Sequence, residues 1–174
     1  SEATLDNIKT LVDLGAKFLK LDLVTAINGD VTVGTKDGPL MIEVLDVIDE
    51  YIKKEGRSPV GFNFEINTAA GDEEGKSVPY YHAHADFVMM DLWGRYMGDR
   101  LMITGSDYRS LNHLNEKYPE VDLAFKVAQG TEDAEKAMKR LKFTPKWISF
   151  HYTDINEDIV KKYHDKGMYV SAWG

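Results

Sequence analysis

Short apolar strands and amphipathic helices take turns along the chain, and that alternation restricts the fold more than any other feature. Runs rich in Phe, Ile, Val and Leu fall at 17–24, 59–67, 100–106, 121–127, 146–152 and 168–173, and each predicts a strand. Between them, helical patterns fall at 5–14, 39–55, 79–97, 107–118, 131–142 and 155–166. Thr4 or Asp6 caps the first helix, Pro39 opens the second, and Gly15, Gly56 and Gly167 are the expected stops. A strand, a helix and a further strand make a crossover, so consecutive strands lie parallel and helices cover their faces. An open doubly wound sheet and a parallel barrel both satisfy that order. Neither GxGxxG nor GxxxxGK[ST] occurs, so the chain has no glycine-rich phosphate loop.

Polar residues at strand ends favour the barrel, because barrel enzymes carry their chemistry on the carboxyl ends of several strands. In FLKLDL, residues 18–23, the period of two places Lys20 and Asp22 on one face with Phe18, and Leu19, Leu21 and Leu23 on the other. Two charges on what reads as a buried strand require a cavity, a metal or countercharges, because an uncompensated buried charge costs several kcal/mol, roughly. The next strand sets Asn63, Glu65 and Asn67 against Phe62, Phe64 and Ile66. Later strand ends offer Thr104 or Ser106, Lys126, His151 and Trp173. Asp22 and Glu65, on neighbouring strands, form a plausible seat for a hard divalent cation. VTAINGDVTV, with Asn28-Gly29 at its centre, predicts a small hairpin after the first strand. TAAGDEEGKS, 68–77, predicts a mobile loop.

The length of 174 residues suits one domain, 1–174, with a buried core. A formal net charge of -8 disfavours nucleic acid and anionic membrane surfaces as partners. Cysteine is absent, which removes disulfides, thiolate metal sites and cysteine nucleophiles. No stretch reaches the roughly 20 apolar residues of a membrane span, and SEATLDN is too polar for a signal peptide, so the compartment stays open.

Several segments resemble the glycerophosphodiester phosphodiesterase family, in matching order. LDNIKTLVDLGAKFLKLDLV is similar to that family's helix and strand ending in Glu-Leu-Asp, and FNFEIN to its Glu-Ile-Lys strand. LMITGSD is similar to its Ser-Phe-Asp strand, and DIVKKYHDKGMYVSAWG to the helix and Trp-Thr strand near its carboxyl end. The resemblance implies a TIM-barrel-like (β/α)8 fold, metal-dependent hydrolysis of phosphodiesters such as glycerophospholipid headgroups, a Mg²⁺ or Ca²⁺ cofactor held by carboxylates, and a histidine pair for acid-base work. By position it makes Asp22 and Glu65 metal ligands and Trp173 a pocket wall. The sequence departs from the family at Lys20, where the first acid of Glu-Leu-Asp is expected, and at Asn67, where its lysine is expected. The family's His-Asp pair falls near Thr35 and Lys36, and its first and last strands fall outside residues 1–174.

Two readings of Lys20 follow. Its ammonium pairs with Asp22 and Glu65 in place of a metal, or it bends to the barrel mouth and binds phosphate. Lys126 is an anion contact or a strand-end lysine with its head in water. His151, sharing a face with Trp147 and Ser149, is the candidate acid-base group and otherwise a strand-end histidine. Trp173 serves the pocket or the core. His82 and His84, two apart on a helix, do not share a face, which argues against a His-x-His metal site, and His113 and His164, mid-helix and near a helix end, read as solvated or dipole-satisfying residues. Six strands where a barrel takes eight leave an open seam, to be completed by self-association or by further chain. The function expected is therefore a phosphodiesterase-like domain, weakened or inactive, with a noncatalytic phosphate-binding or protein-interaction module as the alternative.

Overall fold

A computed structural model of the chain describes residues 5–25, 31–33, 40–66, 81–92, 95, 98–130 and 134–174. Its elements run α1 (Leu5–Asp13), β1 (Phe18–Thr25), β2 (Val31–Val33), α2 (Met41–Lys54), β3 (Gly61–Ile66), α3 (Tyr81–Leu92), β4 (Leu101–Gly105), α4 (Tyr108–Lys117), β5 (Asp122–Lys126), α5 (Ala134–Met138), β6 (Trp147–His151), α6 (Glu157–His164) and β7 (Tyr169–Trp173). All six strands of the expected alternation are present, and β2 is the hairpin partner of β1. The residues of the hairpin turn, 26–30, and of the loop at 68–77 lie outside the described residues. The chain divides into two compact units, Ser1–Met102 and Ile103–Gly174, with the division inside β4.

In the first unit the order is β2-β1-β3. β1 lies parallel to β3 with Leu19 beside Phe62, Leu21 beside Phe64 and Leu23 beside Ile66, so their apolar side chains share one buried face. Apolar residues at helical spacing supply the opposing layer: Ile8 and Val12 on α1, Val44, Leu45, Ile48 and Ile52 on α2, and Ala85, Val88 and Leu92 on α3 are all buried. Tyr51 donates a 2.8 Å hydrogen bond to Asp13, and Arg57 pairs with the same carboxylate at 3.1 Å, tying α2 to α1. That hydrogen bond to an anion raises the Tyr51 pKa. Among the described residues β2 pairs antiparallel with Leu23–Thr25, so the hairpin lies along the end of the outer edge of β1.

In the second unit β5, β6 and β7 are consecutive parallel strands. Leu123, Phe125, Ile148 and Phe150 are buried on one face, where the Tyr163 ring of α6 packs 5.1 Å from that of Phe150. Desolvation raises the Tyr163 pKa. Asp107 caps α4 by accepting from the Arg109 N–H at 2.9 Å, and Asn156 caps α6 by accepting from the Ile159 N–H at 2.9 Å. Gly167 closes α6 at φ 83°, which frees the Met168 N–H to reach the Tyr163 carbonyl. The helix expected to run to residue 142 stops earlier: α5 ends at Met138, and the Asn112 side chain binds the Arg140 carbonyl and the Lys142 N–H, giving those backbone groups a partner other than a further helical turn. β7 is the last strand in the order, with Tyr169 and Ala172 exposed.

Two outcomes follow from this packing. The Phe18 ring lies over Gly61, its partner across β1 and β3, and a Cβ at 61 would run into that ring. Gly61→Val should lower stability in urea by about 1–3 kcal/mol, and Phe18→Ala in that background should recover part of the loss. Glu135 is held below the usual carboxylate range first by its hydrogen bond from Lys162 at 2.5 Å, which in turn raises the Lys162 pKa. The pair therefore contributes in full above the unfolded Glu value and below the unfolded Lys value, and is lost as pH falls through the lowered value of folded Glu135 or rises through the raised value of folded Lys162. Melting temperatures of the wild type and Glu135→Gln should differ at neutral pH and converge in acid.

Candidate functional site

The first unit gathers Lys20, Asp22, Asn63 and Glu65 on the face opposite its leucines and phenylalanines. Parallel register sets Lys20 beside Asn63 and Asp22 beside Glu65, so one short stretch of sheet carries three charges. The Lys20 Nζ is ion-paired to Glu65 Oε2 and lies 3.8 Å from Asp22 Oδ1. Side-chain exposure is 43% for Lys20, 63% for Asp22 and 5% for Glu65. The expectation that both charges of β1 are buried is thus corrected, because their side chains extend into solvent and the desolvation cost falls on Glu65 alone. Lys20 compensates it. The positive charge between the two carboxylates is an ammonium, and no three His, Asp or Glu side chains converge among the described residues. Asn67, Thr35 and Lys36 lie outside the described residues.

The second unit brings together Lys126, His151 and Trp173 at the carboxyl ends of three adjacent strands. His151 and Trp173 are register partners across β6 and β7, and Lys126 is the partner of Ser149, two residues before His151. The Trp173 Nε1–H donates to the Val127 carbonyl at 3.0 Å, which fixes the indole plane. Lys126 Nζ lies over the indole face, 4.6 Å from its centre, and the His151 ring meets it edge-on at 4.8 Å. Beneath them the Trp147 and Tyr169 rings pack in a tilted pair at 4.8 Å. Thr104, on β4, is buried, and Ser106 beyond it is exposed.

Thr153 and Asp154, which sequence reasoning passed over, shape the surroundings of His151. The chain turns through a short 3₁₀ segment, Tyr152–Asp154, directly after β6. There the Thr153 hydroxyl lies 2.7 Å from His151 Nδ1, and Asp154 accepts the Gly130 N–H at 2.7 Å. The signal was the small polar pair that follows the strand, since such side chains bond to backbone and neighbours at strand ends. Of the remaining histidines, His84 is fully buried, His82 and His164 are exposed, and His113 is half-buried.

Solved structures with this fold are glycerophosphodiester phosphodiesterases. An Oleispira antarctica phosphodiesterase, solved in complex with the product sn-glycerol-3-phosphate, is similar at a TM-score of 0.74 and 14% identity, over 98% of this chain and 78% of that one. A glycerophosphodiester phosphodiesterase from Parabacteroides distasonis is similar at 0.71 and 11%, over 98% and 76%. One from Thermotoga maritima gives 0.62 and 18%, over 98% and 78%. No family model matches the sequence, and no curated protein matches it. The fold is therefore the α/β, TIM-barrel-like fold of those enzymes, with six parallel strands alternating with helices among the described residues.

The Lys20–Glu65 pair makes a stability prediction of its own. Removing the ammonium leaves a buried carboxylate without its countercharge, whereas removing both charges leaves nothing to compensate. Lys20→Met should cost about 1–3 kcal/mol, less than for a fully buried pair because the lysine is half-exposed. Lys20→Met with Glu65→Gln should cost less than the single lysine change, and a chemical-denaturation cycle reads the coupling directly. A double loss equal to the sum of the separate Lys20→Met and Glu65→Gln losses would show that the pair carries no coupling.

Proposed function

We propose that the chain is a glycerophosphodiester phosphodiesterase-like domain that binds a phosphate-bearing ligand and has weak or no metal-dependent hydrolysis. One observation carries this reading: on a fold shared with those phosphodiesterases, the ammonium of Lys20 sits between Asp22 and Glu65, the two acids that the resemblance assigns to the cation.

A divalent cation does not fit those residues as they stand. Ca²⁺ takes six to eight oxygen ligands and Mg²⁺ demands near-octahedral oxygen coordination, roughly, while an ammonium within pairing distance repels either ion. When bound, a cation would supply Lewis acidity toward the phosphoryl oxygens. Lys20 supplies a single positive charge and three N–H donors, and it does not activate a water molecule. Hydrolysis also needs a base for the attacking water and an acid for the leaving alkoxide. Thr35 and Lys36 fall near where the resemblance places the family's His-Asp pair, and neither is a histidine or a carboxylate. What remains is charge and hydrogen-bond donors, which suit ligand binding.

Calorimetric titration with Mg²⁺ or Ca²⁺ should show weak binding or none, and Lys20→Glu should gain affinity by removing the repulsion and adding a carboxylate. Hydrolysis of glycerophosphocholine and of bis-p-nitrophenyl phosphate should match buffer alone, since proton transfer typically contributes about 10²–10⁴-fold. Low-micromolar metal binding by the wild type, or turnover abolished by Glu65→Ala, would overturn the proposal.

A further inference from the structure

We propose that the outer edge of β7 and the adjoining flank of α6 form an interface with a second copy of this chain. The two copies meet about a two-fold axis beside Ser171, with β7 antiparallel to its counterpart and α6 antiparallel to its own. The interface is independent of the ligand proposed above, and all of its residues belong to the second unit.

β7 has one strand neighbour among the described residues, β6. The Tyr169 N–H donates to the Lys146 carbonyl on that side at 2.9 Å, and backbone groups alternate in direction along a strand, so those of Val170 and Ala172 face outward. Their side chains lie on the helix-covered face, because Val170 is the register partner of Ile148 and Ala172 that of Phe150. Ile148 and Phe150 are 0% exposed, whereas Val170 is half-buried and Ala172 is exposed. The cover of that apolar face therefore gives out at its outer edge.

α6 has two unlike flanks. On one, Lys162 pairs with Glu135 of α5 at 2.5 Å. On the other, Glu157, Val160, Lys161 and His164 recur at helical spacing and, with Ile155, border a mainly apolar groove of about 630 Å³. With α5 to one side and the Tyr163 ring resting on Phe150 of β6, this second flank is the one toward the outer edge of β7.

A second copy satisfies both features. Pairing centred on Ser171 sets Val170 opposite Ala172 of the other copy, so the outward N–H and C=O groups of the two residues exchange hydrogen bonds. With strands about 4.8 Å apart, helices lying over the β6–β7 gap of each copy come to about 10 Å from one another, the distance of packed helices. Because the helices run antiparallel, Glu157 in the first turn of one faces His164 in the last turn of the other, and Val160 meets its counterpart at the axis. Acidic first turns thus oppose basic last turns twice over, and the antiparallel helix dipoles agree. The patch is its own complement, as a two-fold interface requires.

The test is sedimentation velocity of the full chain over a concentration series reaching about 100 µM, where small interfaces are populated. The wild type should sediment as a reversible dimer. Ala172→Pro removes an N–H that pairs only across the interface, a change edge strands tolerate, and should weaken dimerisation about tenfold or more. His164→Glu, which sets like charges opposite one another, should do the same, and Glu157→Lys in that background should restore the dimer. Restoration by charge exchange separates contact across the axis from damage to the fold. Leu14→Ser, which removes an apolar side chain 79% exposed in the first unit, should leave the dimer unchanged. A monomer throughout the series, a dimer indifferent to Ala172→Pro and His164→Glu, no restoration by Glu157→Lys, or equal weakening by Leu14→Ser would overturn the interface.

Discussion

A buried carboxylate, Glu65, is the constraint on which the first unit turns. Its side chain is 5% exposed, and an isolated charge at that depth is strongly unfavourable. Parallel pairing of β1 with β3 resolves the problem, because it sets Lys20 two residues before the strand neighbour of Glu65 and on the same face. A slip of one residue would turn Lys20 to the helix-covered face and take Leu19 and Leu21 out of it. The ion pair and the leucines thus specify the same register, one by charge and the other by burial, and agreement between them is what makes the pairing unique.

The second unit repeats the division of faces with different chemistry. Its helix-covered face is apolar throughout β5 and β6, whereas the opposite face rises from the Trp147–Tyr169 pair through Ser149 and Ser171 to His151 and Trp173. Large aromatic rings fill the lower part and leave the polar residues for the strand ends. The carboxyl ends of β5 and β6 are also where the chain departs into irregular segments, whose backbone N–H groups and short polar side chains, as in Thr153, can address a neighbouring ring.

The strands were legible because each carries a near-continuous apolar run, and observed limits such as Gly61–Ile66 fall within two residues of those expected. Helix ends were legible where a glycine marks them, as at Gly167. They were not where a distant residue decides: α5 stops short in the presence of Asn112, 28 residues before Arg140, and no local signal reports that. The grouping of Lys20, Asp22 and Glu65 could be read from the period of two, since it follows from parallel pairing. The depth of each charge could not, because a single strand says which face a residue occupies and nothing of what covers it. His151 was visible as a strand-end residue, but the hold of Thr153 on its Nδ1 arises from a turn whose conformation the sequence does not announce.

Replacing a metal by a lysine changes more than affinity. A divalent cation brings two charges and open coordination positions, and a bound water on it becomes a usable nucleophile at neutral pH. An ammonium brings one charge, already engaged with Glu65, and no coordination chemistry. Fold stability and phosphate attraction survive that exchange, since both need only positive charge in the right place. Bond cleavage does not, because it needs a nucleophile and a proton donor as well. The lysine in FLKLDL satisfies a carboxylate the fold has buried, and in the function proposed above that same charge directs the chemistry of this face from turnover toward binding.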